Sequence, residues 1–87
     1  MAREFLIRTA EDLGRVIRQA RNETGLTQAE LAAFVGADRV YVGRVERGAE
    51  SRRLDRVLRT LQGLGYDLVA VPRRGRGRAA DDVEAER

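Results

Sequence analysis

Apolar residues recur at helical spacing in four stretches of this chain, and a glycine closes each one. Leu13, Val16, Ile17 and Ala20 fall at i, i+3, i+4 and i+7, the pattern of a one-faced helix. Thr9, with Asp12 three residues later, has the form of a capping box. It predicts a helix running to about Asn22 or Thr24, ended by Gly25 in the left-handed position. Thr27 and Glu30 repeat the box and predict a short helix over Gln28–Val35, with Leu31, Ala32 and Val35 turned inward, broken by Gly36. Asp38 is placed to cap a third helix, Arg39–Arg47, with Val42 and Val45 inward and Gly48 as its stop. A fourth helix over Arg52–Leu64 presents Leu54, Val57, Leu58, Leu61 and Leu64 before Gly65.

The pattern changes after Gly65. Tyr66–Val71 is β-branched and aromatic, too short for a helix, and closed by Pro72. A matching run, Arg3–Arg8, precedes the first helix. One isolated strand has no hydrogen-bond partners, so these segments are expected to pair with each other, between chains, or both. Tyr66, Leu68, Val69, Ala70 and Val71 are expected to contribute a strand to a homodimer interface. From Arg73 onward there is no hydrophobic periodicity, and 73–87 is expected to be a disordered Arg/Gly and then acidic tail. The domain proper is therefore expected over 1–72.

Composition removes several function classes. At 87 residues this is one small domain, and a chain of that size buries only about 60–65% of its unfolded surface, so a partner subunit helps it. Cysteine and histidine are both absent. No disulfide frame, Cys/His metal site, thiol nucleophile or imidazole base can be built, and no metal or other cofactor is expected. The remaining Asp, Glu, Ser and Tyr residues show no convergent spacing, so no enzyme is expected. With 36% charged residues and no long apolar run, neither a membrane span nor a signal peptide is read, and a cytoplasmic location is expected.

The net charge of +3 conceals an uneven distribution. Residues 39–59 carry seven Arg (Arg39, Arg44, Arg47, Arg52, Arg53, Arg56 and Arg59) against three acids, Glu46, Glu50 and Asp55. The stretch 73–78 adds four Arg, and the last nine residues return a net −3. Focused basic charge is the footprint of a nucleic-acid binder, although arginines on solvated helix faces give the same count.

Two short helices joined by a Gly-containing turn and followed by a basic face describe a helix-turn-helix, whose third helix enters the major groove with its N-terminal half. GLTQAELA and the run ending in VERG resemble the phage-repressor and Cro-like helix-turn-helix family, also called XRE, over about residues 10–65. That resemblance implies a mostly α, four-helix lambda-repressor-like domain whose partner is double-stranded operator DNA. Arg39 and Val40 match the family's first base-reading positions, and Arg44, one turn later and read as lying on the same face, matches the third. Arg can contact guanine bidentately, and Val can meet only a thymine methyl. Gly43, costly inside a helix, is read as letting the backbone approach the bases. Tyr41 departs from the small hydroxyl of the family and is assigned to the DNA backbone. Thr27 and Gln28 are assigned backbone contacts at the N-terminus of the second helix, as are Arg52 and Arg53 before the fourth. The resemblance gives Arg21 and Glu46 a structural role, as an ion pair joining the first helix to the end of the third.

The flanks sharpen the likeness. An entry strand, four helices and the exit strand in LGYDLVAVPR resemble the HipB-type antitoxins, small dimers that bind operator DNA and a toxin together. This implies a repressor on a palindromic operator, with a homodimer and a toxin, such as a HipA-like kinase, as protein partners. A stand-alone regulator of the same family has the same DNA chemistry without a toxin.

Overall fold

A computed structural model describes residues 3–49 and 51–73. The elements run β1 (Phe5–Ile7), α1 (Ala10–Thr24), α2 (Gln28–Val35), α3 (Arg39–Glu46), α4 (Ser51–Gly63) and β2 (Leu68–Ala70). Both capping boxes form. Thr9 Oγ1 accepts from Asp12 N at 3.0 Å, while Asp12 Oδ2 accepts from Thr9 N at 3.2 Å. Thr27 and Glu30 make the same exchange at 3.0 and 2.8 Å. Asp38 caps α3 through Tyr41 N at 2.8 Å. Gly25 and Gly36 close α1 and α2 at φ 78° and 74°, where a side chain is strained.

Helix ends differ by one residue from the sequence expectation. Arg47 is the cap of α3 and not its last turn, and α4 runs one position earlier at both ends. The two strands are shorter than expected. They pair antiparallel within the chain, Phe5 with Ala70, Leu6 with Val69 and Ile7 with Leu68. Tyr66 and Val71 lie outside the ladder. Apart from Arg73, the expected disordered tail lies outside the described residues.

Ile7, Ala10, Ala32, Val42 and Leu58 are buried, and Glu46 joins them. The tightest packing is at Gly14 of α1, where a Cβ atom would sit 2.5 Å from Val45 O and 2.6 Å from Glu46 O. α1 and α3 therefore cross backbone to backbone, and this crossing fixes how α3 is held.

Three residues expected inside are exposed: Val35, Val57 and Leu64. Val35 is on the last turn of α2, where Ala32 takes the buried position. On α4 the cause is rotational. The helix meets the domain through buried Leu58, through Asp55 Oδ1, which accepts from Ala10 N at 2.7 Å, and through Gln62 Nε2, which donates to Arg8 O at 3.1 Å. These three lie within about 60° around the axis, whereas the apolar arc continues about 100° beyond Leu58, to Val57. Leu54 and Leu61 are half-buried on that arc, Val57 is 59% exposed, and Leu64, just past the end of the helix, is 69% exposed.

Candidate nucleic-acid interface

At the end of α3 a polar clamp joins three helices. Glu46 Oε2 accepts from Arg21 Nε at 2.5 Å, and Oε1 accepts from Arg21 Nη2 at 3.2 Å and from Gln28 Nε2 at 3.0 Å. Arg21 Nη1 also donates to Leu26 O at 2.9 Å, tying in the loop between α1 and α2. The Glu46 side chain is 3% exposed. Burial pushes its carboxyl up, but the Arg21 and Gln28 hydrogen bonds and the Arg21 and Arg18 charges outweigh that and hold it below the ordinary range. The bond to Glu46 raises Arg21 in turn.

The clamp fixes the side of α3 that cannot face a ligand. Val42, Gly43 and Glu46 are buried, so Val40, Tyr41, Arg44 and Arg47 point outward. Val40 is 58% exposed and Tyr41 49%. Val40 and Arg44, four positions apart, share a stripe, with Arg47 one turn beyond. Arg39 does not share it. Five positions separate Arg39 from Arg44, about 140° around the helix, so the expectation of one face is corrected. Arg39 is exposed because it occupies the first position of α3, where no preceding turn covers it.

Other expected site residues are placed differently from how their residue types alone read. The Gln28 side chain is half-buried and donates inward to Glu46, so its amide belongs to the clamp. Thr27 is the α2 cap, its hydroxyl engaged by Glu30 N. Gly43 is buried, and a Cβ there would lie 3.7 Å from Gln28 Nε2 and 3.2 Å from Arg47 Nη1. Its place is the α2–α3 crossing. Arg52 and Arg53, expected as a pair, diverge by about 100°. Arg53 lines a groove between α3 and α4 with Tyr41, Val45, Leu54 and Val57, whereas Arg52 shares the outer flank of α4 with Arg56 and Arg59.

Three contributors escape a reading by residue type. Arg47 extends the exposed α3 stripe, and its signal was the i+3 spacing from Arg44. Asp55 anchors α4 to the start of α1, and Gly14 permits the α1–α3 crossing. An interior helix glycine was the available sign of that crossing. Among the described residues no group of His, Cys, Asp or Glu could hold a metal ion, and no helix is long and apolar enough to cross a membrane.

Comparison with known proteins agrees with this geometry. A curated relative from Sinorhizobium fredii (strain NBRC 101917 / NGR234), named as the uncharacterized HTH-type transcriptional regulator y4mF, is 36% identical over 62 residues, which cover 71% of this chain and 82% of the relative. No solved structure matches. Residues 12–73 match the model of the helix-turn-helix domain family, spanning all of α2, α3, α4 and β2 and most of α1. The chain belongs to the helix-turn-helix domain family.

Proposed function

We propose that this protein is a sequence-specific DNA-binding transcriptional repressor that acts as a homodimer on a palindromic operator. The observation that carries the reading is the exposed cationic stripe of α3, held from behind by the Arg21–Glu46–Gln28 clamp. Arg39, Val40 and Arg44 read base edges, Arg47 and Tyr41 border them, and Arg53 meets the phosphate backbone on the α4 side. Two copies place their α3 helices in major grooves about 34–36 Å apart and repress by occupancy. Arg39→Ala/Arg44→Ala is expected to abolish binding to an operator found by in vitro selection while the circular dichroism spectrum and oligomeric state stay unchanged. Retained binding by that variant would overturn the assignment.

The apolar side chains left open between the end of α4 and the residue after β2 support the second copy: Leu64, Tyr66, Val69 and Val71 are 69%, 66%, 41% and 47% exposed. Sedimentation at micromolar concentration is expected to show a dimer, and Leu64→Lys/Val69→Lys a folded monomer. The flanking strands also support the finer reading of a HipB-type antitoxin that binds a toxin, such as a HipA-like kinase, away from α3. A nuclease-treated pull-down from the native host tests it. A stoichiometric toxic partner supports the antitoxin reading, and the dimer alone supports a stand-alone regulator.

A further inference from the structure

α1 packs against both α3 and α4, but α3 and α4 make almost no contact with each other. Asp55 on Ala10 N and Gln62 on Arg8 O pin α4 at the junction of β1 and α1, which leaves its apolar arc facing the gap. The result is a groove of about 520 Å³. α1 forms its floor with Leu13 and Ile17, α3 one wall with Tyr41 and Val45, and α4 the other with Leu54 and Val57. Leu13, Ile17, Val45 and Leu54 are only half-buried, so the groove opens the core of the domain.

A volume of about 300–1,000 Å³, mostly apolar walls and a few polar groups that fix orientation are the marks of a small-molecule site. Arg53 is the one charged side chain that lines the groove, and its guanidinium has no ion pair or hydrogen bond among the described residues. Tyr41 adds a hydroxyl donor on the opposite wall. One unneutralised cation beside an apolar surface complements an anion with an apolar body. A neutral apolar molecule leaves the guanidinium unused, and a cation is repelled by it.

We propose that the groove between α3 and α4 binds a small amphipathic monocarboxylate, its apolar body on Leu13, Ile17 and Val57 and its carboxylate on Arg53. Arg53 is also the residue assigned to the DNA backbone, so the bound acid competes with phosphate for one guanidinium and weakens operator binding. The competition rests on the proposed repressor function; the binding itself does not.

Octanoate serves as the probe, with 1-octanol and octylammonium as its neutral and cationic counterparts. In a DNA-free NMR titration of the full chain, octanoate is expected to shift the amides around Leu13, Val45 and Leu54. It is expected to bind about fivefold more tightly than octanol, the upper range for an exposed ion pair, and octylammonium to bind most weakly. Arg53→Gln is expected to remove the preference for the acid. Val57→Glu, at an exposed position one turn from Arg53, is expected to stay folded and dimeric and to lose octanoate binding. Saturating octanoate is expected to weaken operator binding several-fold. No shift with octanoate, shifts centred outside the groove, or a preference that survives Arg53→Gln would each overturn the site. A monomeric Val57→Glu would give the groove to the second copy instead, and octanoate binding without loss of operator affinity would overturn the competition. Failure to select any operator leaves the titration intact and counts against the repressor function alone.

Discussion

Gly14 of α1 faces the carbonyl oxygen of Val45 in α3 so closely that a Cβ atom would stand 2.5 Å from it. Backbone is on both sides, so no rotamer change can relieve the contact. Gly14→Ala therefore has to push α1 and α3 apart, and α3 is the helix whose outward face is the candidate reading surface. Overpacking of this kind costs about 1–3 kcal/mol, which exceeds the gain of about 1 kcal/mol from replacing a helix glycine with alanine. Urea unfolding is expected to show a lowered midpoint, and a midpoint equal to or above wild type would show that the crossing is looser than described.

The Arg21–Glu46 pair gives an asymmetric expectation. Arg21→Ala leaves a buried carboxylate with Gln28 as its remaining partner, and breaking one side of a buried pair costs about 3–5 kcal/mol. Acid exposes the same contact. Glu46 and Asp12 are both held below their ordinary ranges, Glu46 against its burial by Arg21 and Gln28, and Asp12 above all by the Arg8 amide, with the Thr9 amide and Arg15 assisting. A carboxyl depressed in the folded state contributes stability that is fully present above its unfolded pKa, about 4, and is lost as pH falls through the lower folded value. Stability measured by urea titration is expected to be flat above about pH 5 and to drop steeply below pH 4. In Glu46→Gln, stability is lower at neutral pH, and the gap from wild type narrows as pH falls. A constant gap would remove Glu46 from the acid response.

Much of this architecture is legible in the sequence because its signals are local. Thr9 with Asp12, Thr27 with Glu30, and the glycines after each helix settle where α1 and α2 begin and end without reference to any other element. The rotation of α4 is different. Its apolar residues mark an arc, but Asp55 and Gln62, polar residues on the flank of that arc, make the anchoring bonds, so Val57 and Leu64 stay open. The candidate site divides in the same way. Arginine type and helix position mark Arg39 and Arg44. The direction of the Gln28 side chain depends on where Glu46 lies, eighteen residues away in sequence, and no spacing rule reports it.

That direction carries its own prediction. A glutamine at the start of α2 is expected to touch DNA from its residue type, whereas here Nε2 donates to Glu46. Gln28→Ala removes a hydrogen bond to a charged group, worth about 1.5–3 kcal/mol. Its thermal midpoint is expected to fall, and operator affinity measured well below that midpoint is expected to change less than in Arg44→Ala. Gln28→Glu sets a second carboxylate against Glu46 and should destabilise further at neutral pH, recovering toward wild type in acid. A Gln28→Ala variant of unchanged stability with strongly weakened operator binding would return the side chain to the interface.

The divergence of Arg52 and Arg53 separates two roles that adjacency in sequence merges. If each subunit neutralises about four phosphates, log K falls with log salt at a slope near −7 for the dimer. Arg53 lines the groove on the α3 side, next to Tyr41, and Arg52 lies on the outer flank of α4. Removing one phosphate contact per subunit should lower the slope by about 2 in the dimer. Arg53→Ala is therefore expected to move the slope to about −5, with affinity weakened similarly on operator and on unrelated DNA. Arg52→Ala, by contrast, is expected to leave the slope unchanged. Filter binding across a salt series distinguishes the cases. Equal effects from the two substitutions would mean that DNA wraps over the outer flank of α4 as well, and a flat response in the wild-type protein would refute phosphate-dominated binding altogether.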